Sequence, residues 1–144
     1  MSVDPVTAPE IEVRRRKVRQ RILIVDDDHA QTEVLAHCFT KQGYNTLIAY
    51  TGQMGLQMAR AEFPDLILLD IRLPDIDGLS VCHELNDDPE TCDIPIIVLS
   101  AMERPDIIRR TRSAGCHYFL RKPYDPNALL MLVQAAIGDF TYLS

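Results

Sequence analysis

An α/β fold, a doubly wound five-stranded parallel sheet flanked by five helices, is what the sequence predicts, and three observations predict it. Five short apolar runs punctuate the chain: Arg21–Asp26, Thr46–Tyr50, Leu66–Asp70, Ile94–Ser100 and Tyr118–Arg121. Apolar runs this short, with little polar alternation, belong to strands covered on both faces. Between them lie stretches whose apolar residues recur at helical spacing. The two kinds alternate along the whole chain, and parallel strands need crossover connections that put helices on both faces of the sheet.

Taken in order, residues 1–20 carry Pro5, Pro9 and a basic run, and read as a flexible arm ahead of a domain spanning 21–140, with 141–144 as a tail. The first strand closes on Asp26, Asp27 and Asp28, and Asp28 opens the first helix as a cap. Val34, Leu35, Cys38 and Phe39 line one face of that helix, and Gly43 ends it. The second helix holds Leu56, Met58 and Ala59, with Met54 and Met58 four apart as packing residues. Asp77 caps a third helix carrying Leu79, Val81, Cys82 and Leu85, and Gly78 permits the turn before it. A fourth helix near Asp106–Ala114 contains Ile107 and Ile108 and stops at Gly115. Its Arg109, Arg110 and Arg112, with Arg104, form a basic stretch. Asp125-Pro126 starts the last helix, which carries Leu129, Leu130, Leu132, Val133 and Ala136 at helical spacing.

Composition narrows the class of protein. With 144 residues, 47% hydrophobic and 25% charged, the chain has material for one folded domain with a true core. It contains no apolar run long enough to cross a membrane and no secretion leader, so a cytoplasmic location is expected. Cys38, Cys82, Cys92 and Cys116 show no metal-binding spacing and read as reduced thiols rather than a disulfide frame. Residues 1–21 hold six basic and three acidic residues, which leaves nine basic against eighteen acidic over the rest. An acidic body of that kind is a poor generic partner for nucleic acid.

In such a sheet the functional crevice lies beyond the carboxyl ends of the strands. Those ends present Asp26 and Asp27, then Asp70, then Ser100, then Lys122 followed by Pro123. Carboxylates crowded on one rim repel, and a hard divalent cation with oxygen ligands relieves them. Any single aspartate here is ordinary as a helix cap. All these positions together have no structural rationale. Lys122 is also one of only two lysines after residue 21.

The segments Ile22-Leu-Ile-Val-Asp-Asp-Asp28, Leu68-Leu-Asp-Ile-Arg-Leu-Pro-Asp-Ile-Asp-Gly78, Val98-Leu-Ser-Ala101 and Lys122-Pro-Tyr124 resemble, in order and spacing, the receiver domain of two-component response regulators. The resemblance covers roughly residues 20–140 and implies a flavodoxin-like fold of the receiver type. It implies that Asp70 accepts a phosphoryl group from a phosphohistidine of a sensor histidine kinase or phosphotransfer protein, with the kinase docking on the face near the first helix (Gln31, Val34, Leu35, Cys38). Asp26, Asp27 and Asp70, with the backbone carbonyl of Arg72, would hold Mg²⁺. Lys122 would contact the phosphoryl oxygens, and Ser100 and Phe119 would form the switch pair, with Ala101 keeping access open. The peptide before Pro123 is implied to be cis. Phe119 stands where tyrosine is commoner, keeping the ring and losing the hydroxyl, and Ser100 stands for threonine.

The resemblance further implies output through the face of the fourth helix, fifth strand and fifth helix, to a downstream protein or into a homodimer that forms on phosphorylation. It implies self-catalysed phosphotransfer with slow loss of the group, not a turnover enzyme. Three rivals are weaker. A nucleotide-binding module wants glycines or Ser/Thr in the first turn, and this chain has Asp-Asp-Asp-His29. A haloacid-dehalogenase-like phosphatase wants a second carboxylate two residues after its nucleophile, where Arg72 stands. A pseudo-receiver acting only as an interaction module has no use for the full acidic set. His29 is expected to face solvent in the first turn, and His37, His83 and His117 lack metal-ligand spacing. Six residues follow Gly138, too few for a DNA-reading motif, so no direct DNA binding is expected.

Overall fold

The computed structural model describes residues 19–101, 106–116 and 118–138. Expectations for the basic arm, Arg104, His117 and the tail therefore concern residues mostly or wholly outside the described part. All five runs are strands of one parallel sheet: β1 (Arg21–Val25), β2 (Asn45–Ala49), β3 (Leu66–Asp70), β4 (Ile96–Ser100) and β5 (Tyr118–Arg121), in the order β2-β1-β3-β4-β5. The intervening helices are α1 (His29–Lys41), α2 (Gly52–Glu62), α3 (Gly78–Asp87), α4 (Ile107–Ser113) and α5 (Pro126–Ile137).

Period-two alternation splits each central strand between two cores. Leu23 and Val25 of β1 and Ile67 and Leu69 of β3 face one side, against Leu56 and Ala59 of α2, Val81 and Leu85 of α3, and Ile107 of α4. Ile22, Ile24, Leu66 and Leu68 face the other, against Leu35 and Phe39 of α1 and Leu129 and Val133 of α5. All eight strand residues are at most 1% exposed, which is why these runs show no polar alternation. Because β1 lies between β2 and β3, successive crossovers leave it in opposite directions. The carboxyl ends of β1 and β3 thus flank the topological switch point.

Several boundaries move from the sequence expectation. β4 begins at Ile96 rather than Ile94, because Ile94 donates to Thr91 in a turn and Pro95 has no N–H to give the ladder. β1 and β2 each end one residue early, the Asp26 N–H making a last bond to the Ala49 carbonyl. On α1, Leu35 and Phe39 are buried, but Val34 is 63% exposed and Cys38 is exposed, so the apolar stripe is wider than the core it meets. Met54 is likewise exposed, while Met58 packs on the core. α2 ends on Phe63 in the left-handed region at φ 46°, where no glycine marks a stop.

The cysteine expectation also needs correction. Cys82 of α3 and Cys116, just before β5, form a disulfide that closes a separation of 34 residues, with Cα atoms 6.7 Å apart. Both are buried, and Cys38 and Cys92 remain free and exposed. Their pairing comes from the packing of α3 beside the start of β5, which no local spacing announces.

Candidate functional site

Each strand end delivers a side chain to the same rim. Asp26 directly follows β1 and is 2% exposed, whereas Asp27 beside it is exposed. Asp70 is the last residue of β3, with 12% of its side chain accessible. One carboxylate oxygen from each of the three lies within 4.8 Å of the others. Lys122, just past β5, reaches back across the sheet. Its Nζ is 3.3 Å from Asp26 Oδ2 and 3.0 Å from Asp70 Oδ2. The Lys122–Pro123 peptide is cis, and the Lys122 N–H donates to the Ser100 carbonyl at 2.8 Å, tying the ends of β4 and β5 together.

Main-chain donors hold the remaining carboxylate oxygens. Asp28 N–H donates to Asp26 Oδ1 and Arg72 N–H to Asp70 Oδ1, each at 3.0 Å. Burial is the largest influence on Asp26 and pushes its carboxyl above the usual range, with the Asp70 charge adding to that push. The Asp28 amide and the Lys122 ammonium oppose it. For Lys122, burial favours the neutral amine, but the bonds and charges of Asp70 and Asp26 outweigh it and hold the ammonium above its ordinary value. Three carboxylates against one ammonium leave an excess of negative charge that all-oxygen donors direct toward a hard divalent cation.

Of the residues singled out by sequence, Asp26, Asp27, Asp70 and Lys122 come together in this way. Ser100 is buried at the end of β4, and Phe119 is half-buried in register with Val98, packed against the α2–α3–α4 core. Asp28 caps α1 through Gln31 N–H, and Asp77 caps α3 through Leu79 N–H. His29 is exposed in the first turn, as expected, and its ring lies flat on Tyr50, centroids 3.8 Å apart.

Gln31, Val34, Leu35 and Cys38, the face of the first helix expected to dock a kinase, all line one groove. That groove, of about 610 Å³, runs between α1 and α5, with Val34, Cys38 and Leu130 on its walls and Lys122 and Ala101 also lining it. Tyr124 lines it as well, accepting a hydrogen bond from Gln31 Nε2 at 3.1 Å, and burial raises its phenol above the ordinary value. The α1 wall of the groove was expected from sequence, and its α5 wall, with Leu129 and Leu130, was not.

Residues 22–134 match the response regulator receiver domain family. The chain belongs to it. Response regulator PleD of Caulobacter vibrioides is 40% identical over 116 residues, 80% of this receiver, which in turn spans only a quarter (25%) of PleD's length. The polar-differentiation response regulator DivK of Brucella ovis is 32% identical over 118 residues, covering 82% of this chain and 96% of DivK. Among solved structures, the receiver domain of sensor histidine kinase PA1611 from Pseudomonas aeruginosa holds a magnesium ion in its active-site cleft. It shares 29% identity with this receiver at a TM-score of 0.77, over 85% of this chain and all (100%) of that one. Like its relatives, this receiver is a module of two-component phosphoacceptor signalling, and its Asp26–Asp27–Asp70 cluster fits that chemistry.

Proposed function

We propose that Asp70 is the phosphoryl acceptor and that Asp26, Asp27, Asp70 and the Arg72 carbonyl hold Mg²⁺ beside it. The observation that carries this reading is the Asp70 carboxylate, bonded at 3.0 Å to Lys122 inside the acidic cluster. A carboxylate oxygen of Asp70 attacks the phosphorus of a phosphohistidine. The O–P bond forms as the P–N bond breaks, and the imidazole nitrogen keeps the electron pair and takes a proton. Bound Mg²⁺ supplies positive charge to the phosphoryl oxygens. Lys122 supplies another from the opposite side, already held in place before the donor arrives. The Ser100 hydroxyl then turns to a phosphoryl oxygen, and Phe119 follows it into the space vacated. Water returns the aspartyl phosphate to carboxylate slowly, so the protein is a switch rather than a turnover enzyme. Arg72 occupies the position where a haloacid-dehalogenase-like phosphatase would carry its acid.

Incubation with acetyl phosphate and Mg²⁺ followed by intact-mass measurement tests the assignment. One phosphoryl group is gained by the wild type and by Asp87→Asn on the exposed face of α3, and none by Asp70→Asn. Phosphorylation surviving in Asp70→Asn removes the assignment.

The α1–α5 groove is the docking place for the donor. Its lining is mostly apolar and includes Lys122, which is bonded to Asp70 at 3.0 Å, so a donor seated there lies beside the acceptor. Such a donor is a sensor histidine kinase or phosphotransfer protein, and the setting is cytoplasmic. Among the described residues no helix is long and apolar enough to cross a membrane.

For output, α4 carries Arg109, Arg110 and Arg112, β5 carries Arg121, and α5 carries no charged residue. A two-fold contact must be self-complementary, and on this face arginines outnumber the acids, Asp106 and Asp125, that stand at the starts of α4 and α5. The α4–β5–α5 face therefore fits a downstream protein with an acidic surface better than a second copy of this chain. Sedimentation with and without beryllofluoride, a phosphoryl mimic, is expected to show a monomer in both. A dimer that forms only with beryllofluoride and dissociates in Arg109→Glu reverses this choice of partner.

A further inference from the structure

The loop between β3 and α3 is fastened at both ends and once in the middle, and the middle fastening lies outside the site described above. At the near end, Arg72 N–H bonds Asp70 Oδ1. At the far end, Gly78 N–H bonds the Ile71 carbonyl at 2.9 Å, and a Cβ on Gly78 would stand 2.4 Å from the Asp70 carbonyl oxygen, so only glycine closes the loop this tightly. In the middle, the exposed Asp75 spans the gap to α2. Its Oδ1 accepts from Gly52 N–H at 2.8 Å and its Oδ2 from Gln53 N–H at 2.9 Å.

These are the first two amides of α2, and the helix already has its own cap. Thr51 Oγ1 accepts from Met54 N–H at 3.1 Å. A single side-chain cap is the common provision for a helix start, so a carboxylate brought from 23 residues downstream is an added connection between two elements. Ile76 reinforces it: a Cβ on Gly52 would lie 2.5 Å from Ile76 Cγ1, so loop and helix are in close apolar contact beside the polar one. Between the fastenings only Arg72, Leu73 and Pro74 are left, and Pro74 has its φ fixed by its ring.

We propose that Asp75 is a positioning residue for the metal side of the phosphorylation site, its pair of hydrogen bonds to the start of α2 fixing the loop so that the Arg72 carbonyl stays beside Asp70. The inference rests on the reading of Arg72 as a backbone ligand. Asp75 touches neither phosphoryl group nor cation. It acts through the segment 71–74 that it and Asp70 hold between them. The Gln53 and Gly52 amides also keep its carboxyl below the usual range, so the fastening stays charged at neutral pH. Outer groups that orient metal ligands commonly alter affinity by one to two orders of magnitude. An exposed fastening belongs at the lower end of that range.

The test is Mg²⁺ binding to the full chain by isothermal titration calorimetry at 25 °C, together with the rate of phosphorylation by acetyl phosphate across a Mg²⁺ series. Asp75→Ala is expected to weaken Mg²⁺ binding about tenfold and to shift the Mg²⁺ midpoint equally. The rate at saturating Mg²⁺ is expected to stay within about twofold of wild type, since the groups that touch the phosphoryl are intact. Asp75→Asn, which retains one acceptor oxygen, falls between, and serves alone if Asp75→Ala does not fold. Thr51→Ala is the comparison: it removes a cap from the same helix without touching the loop, and is expected to lower the melting temperature while leaving Mg²⁺ affinity unchanged. Wild-type affinity in both Asp75 variants overturns the inference and leaves the acceptor reading standing. Equal weakening in Thr51→Ala also overturns it, by assigning the effect to α2 stability. A wild type that takes neither Mg²⁺ nor phosphoryl removes the acceptor reading and the inference together.

Discussion

Lys122→Ala is expected to destabilise the metal-free protein by about 2–3 kcal/mol at pH 7, and the deficit is expected to shrink as the pH falls toward 5. The lysine side chain is 16% exposed, and its two partners are 3% and 12% exposed. Removing one partner from a buried ionic cluster costs about 3–5 kcal/mol, because the charges left behind stay desolvated. Access of water to Lys122 and Asp70 reduces that figure. In the variant, Asp26 loses the ammonium that opposed burial and the Asp70 charge, so its native carboxyl rises further above its unfolded value. A carboxyl raised on folding favours the native state once protonated, so falling pH restores stability to the variant as it passes through that raised value. The wild-type contribution behaves oppositely at the alkaline end. The Lys122 ammonium is raised above 10.5 in the native state, so its stabilisation is complete below that pH and fades as pH climbs through the native value. Urea unfolding at pH 7 and pH 5 measures the difference. Equal midpoints for variant and wild type at pH 7 would show that the bridge to Asp26 and Asp70 contributes nothing.

The four charged residues of the site were legible from sequence because their placement follows from strand ends alone. An apolar run that terminates in an acid locates that acid on the rim of a parallel sheet, whatever the details of packing. β3 and β5 accordingly begin and end where pattern places them. Features that depend on an element distant in the chain were not legible. Asp75 has no local partner in sequence, and its role appears only when the loop after β3 lies over the start of α2. The disulfide between Cys82 and Cys116 is of the same kind. On α1, apolar spacing alone reports which face is apolar, not whether protein covers it, and Val34 and Cys38 stay exposed. Half of that stripe packs against β1 and β3. The rest opens onto the groove proposed for the phosphoryl donor.

Replacing Asp26 and Asp27 together by asparagine is expected to make the protein more stable without metal and less stable with it. In the wild type, saturation with Mg²⁺ at about a hundred times its dissociation constant adds about 2.7 kcal/mol by mass action. The double variant lacks two of the three clustered carboxylates and is expected to gain nothing from the same addition. Without metal the sign reverses. Asp26 is 2% exposed, its charge is opposed first by burial and then by Asp70, and an asparagine oxygen still accepts the Asp28 N–H that Asp26 accepts at 3.0 Å. Lys122 keeps Asp70 as its partner at 3.0 Å. Removing the strained charge is thus worth about 1 kcal/mol, the scale on which active-site residues trade stability for function. Asp27 is exposed and adds little to this balance. Thermal unfolding over a Mg²⁺ series should therefore give two curves that cross: the variant higher and flat, the wild type starting lower and rising past it. Parallel curves would show that the cation is held elsewhere, and a variant less stable from the outset would show that Asp26 contributes more through its hydrogen bonds than it costs in charge.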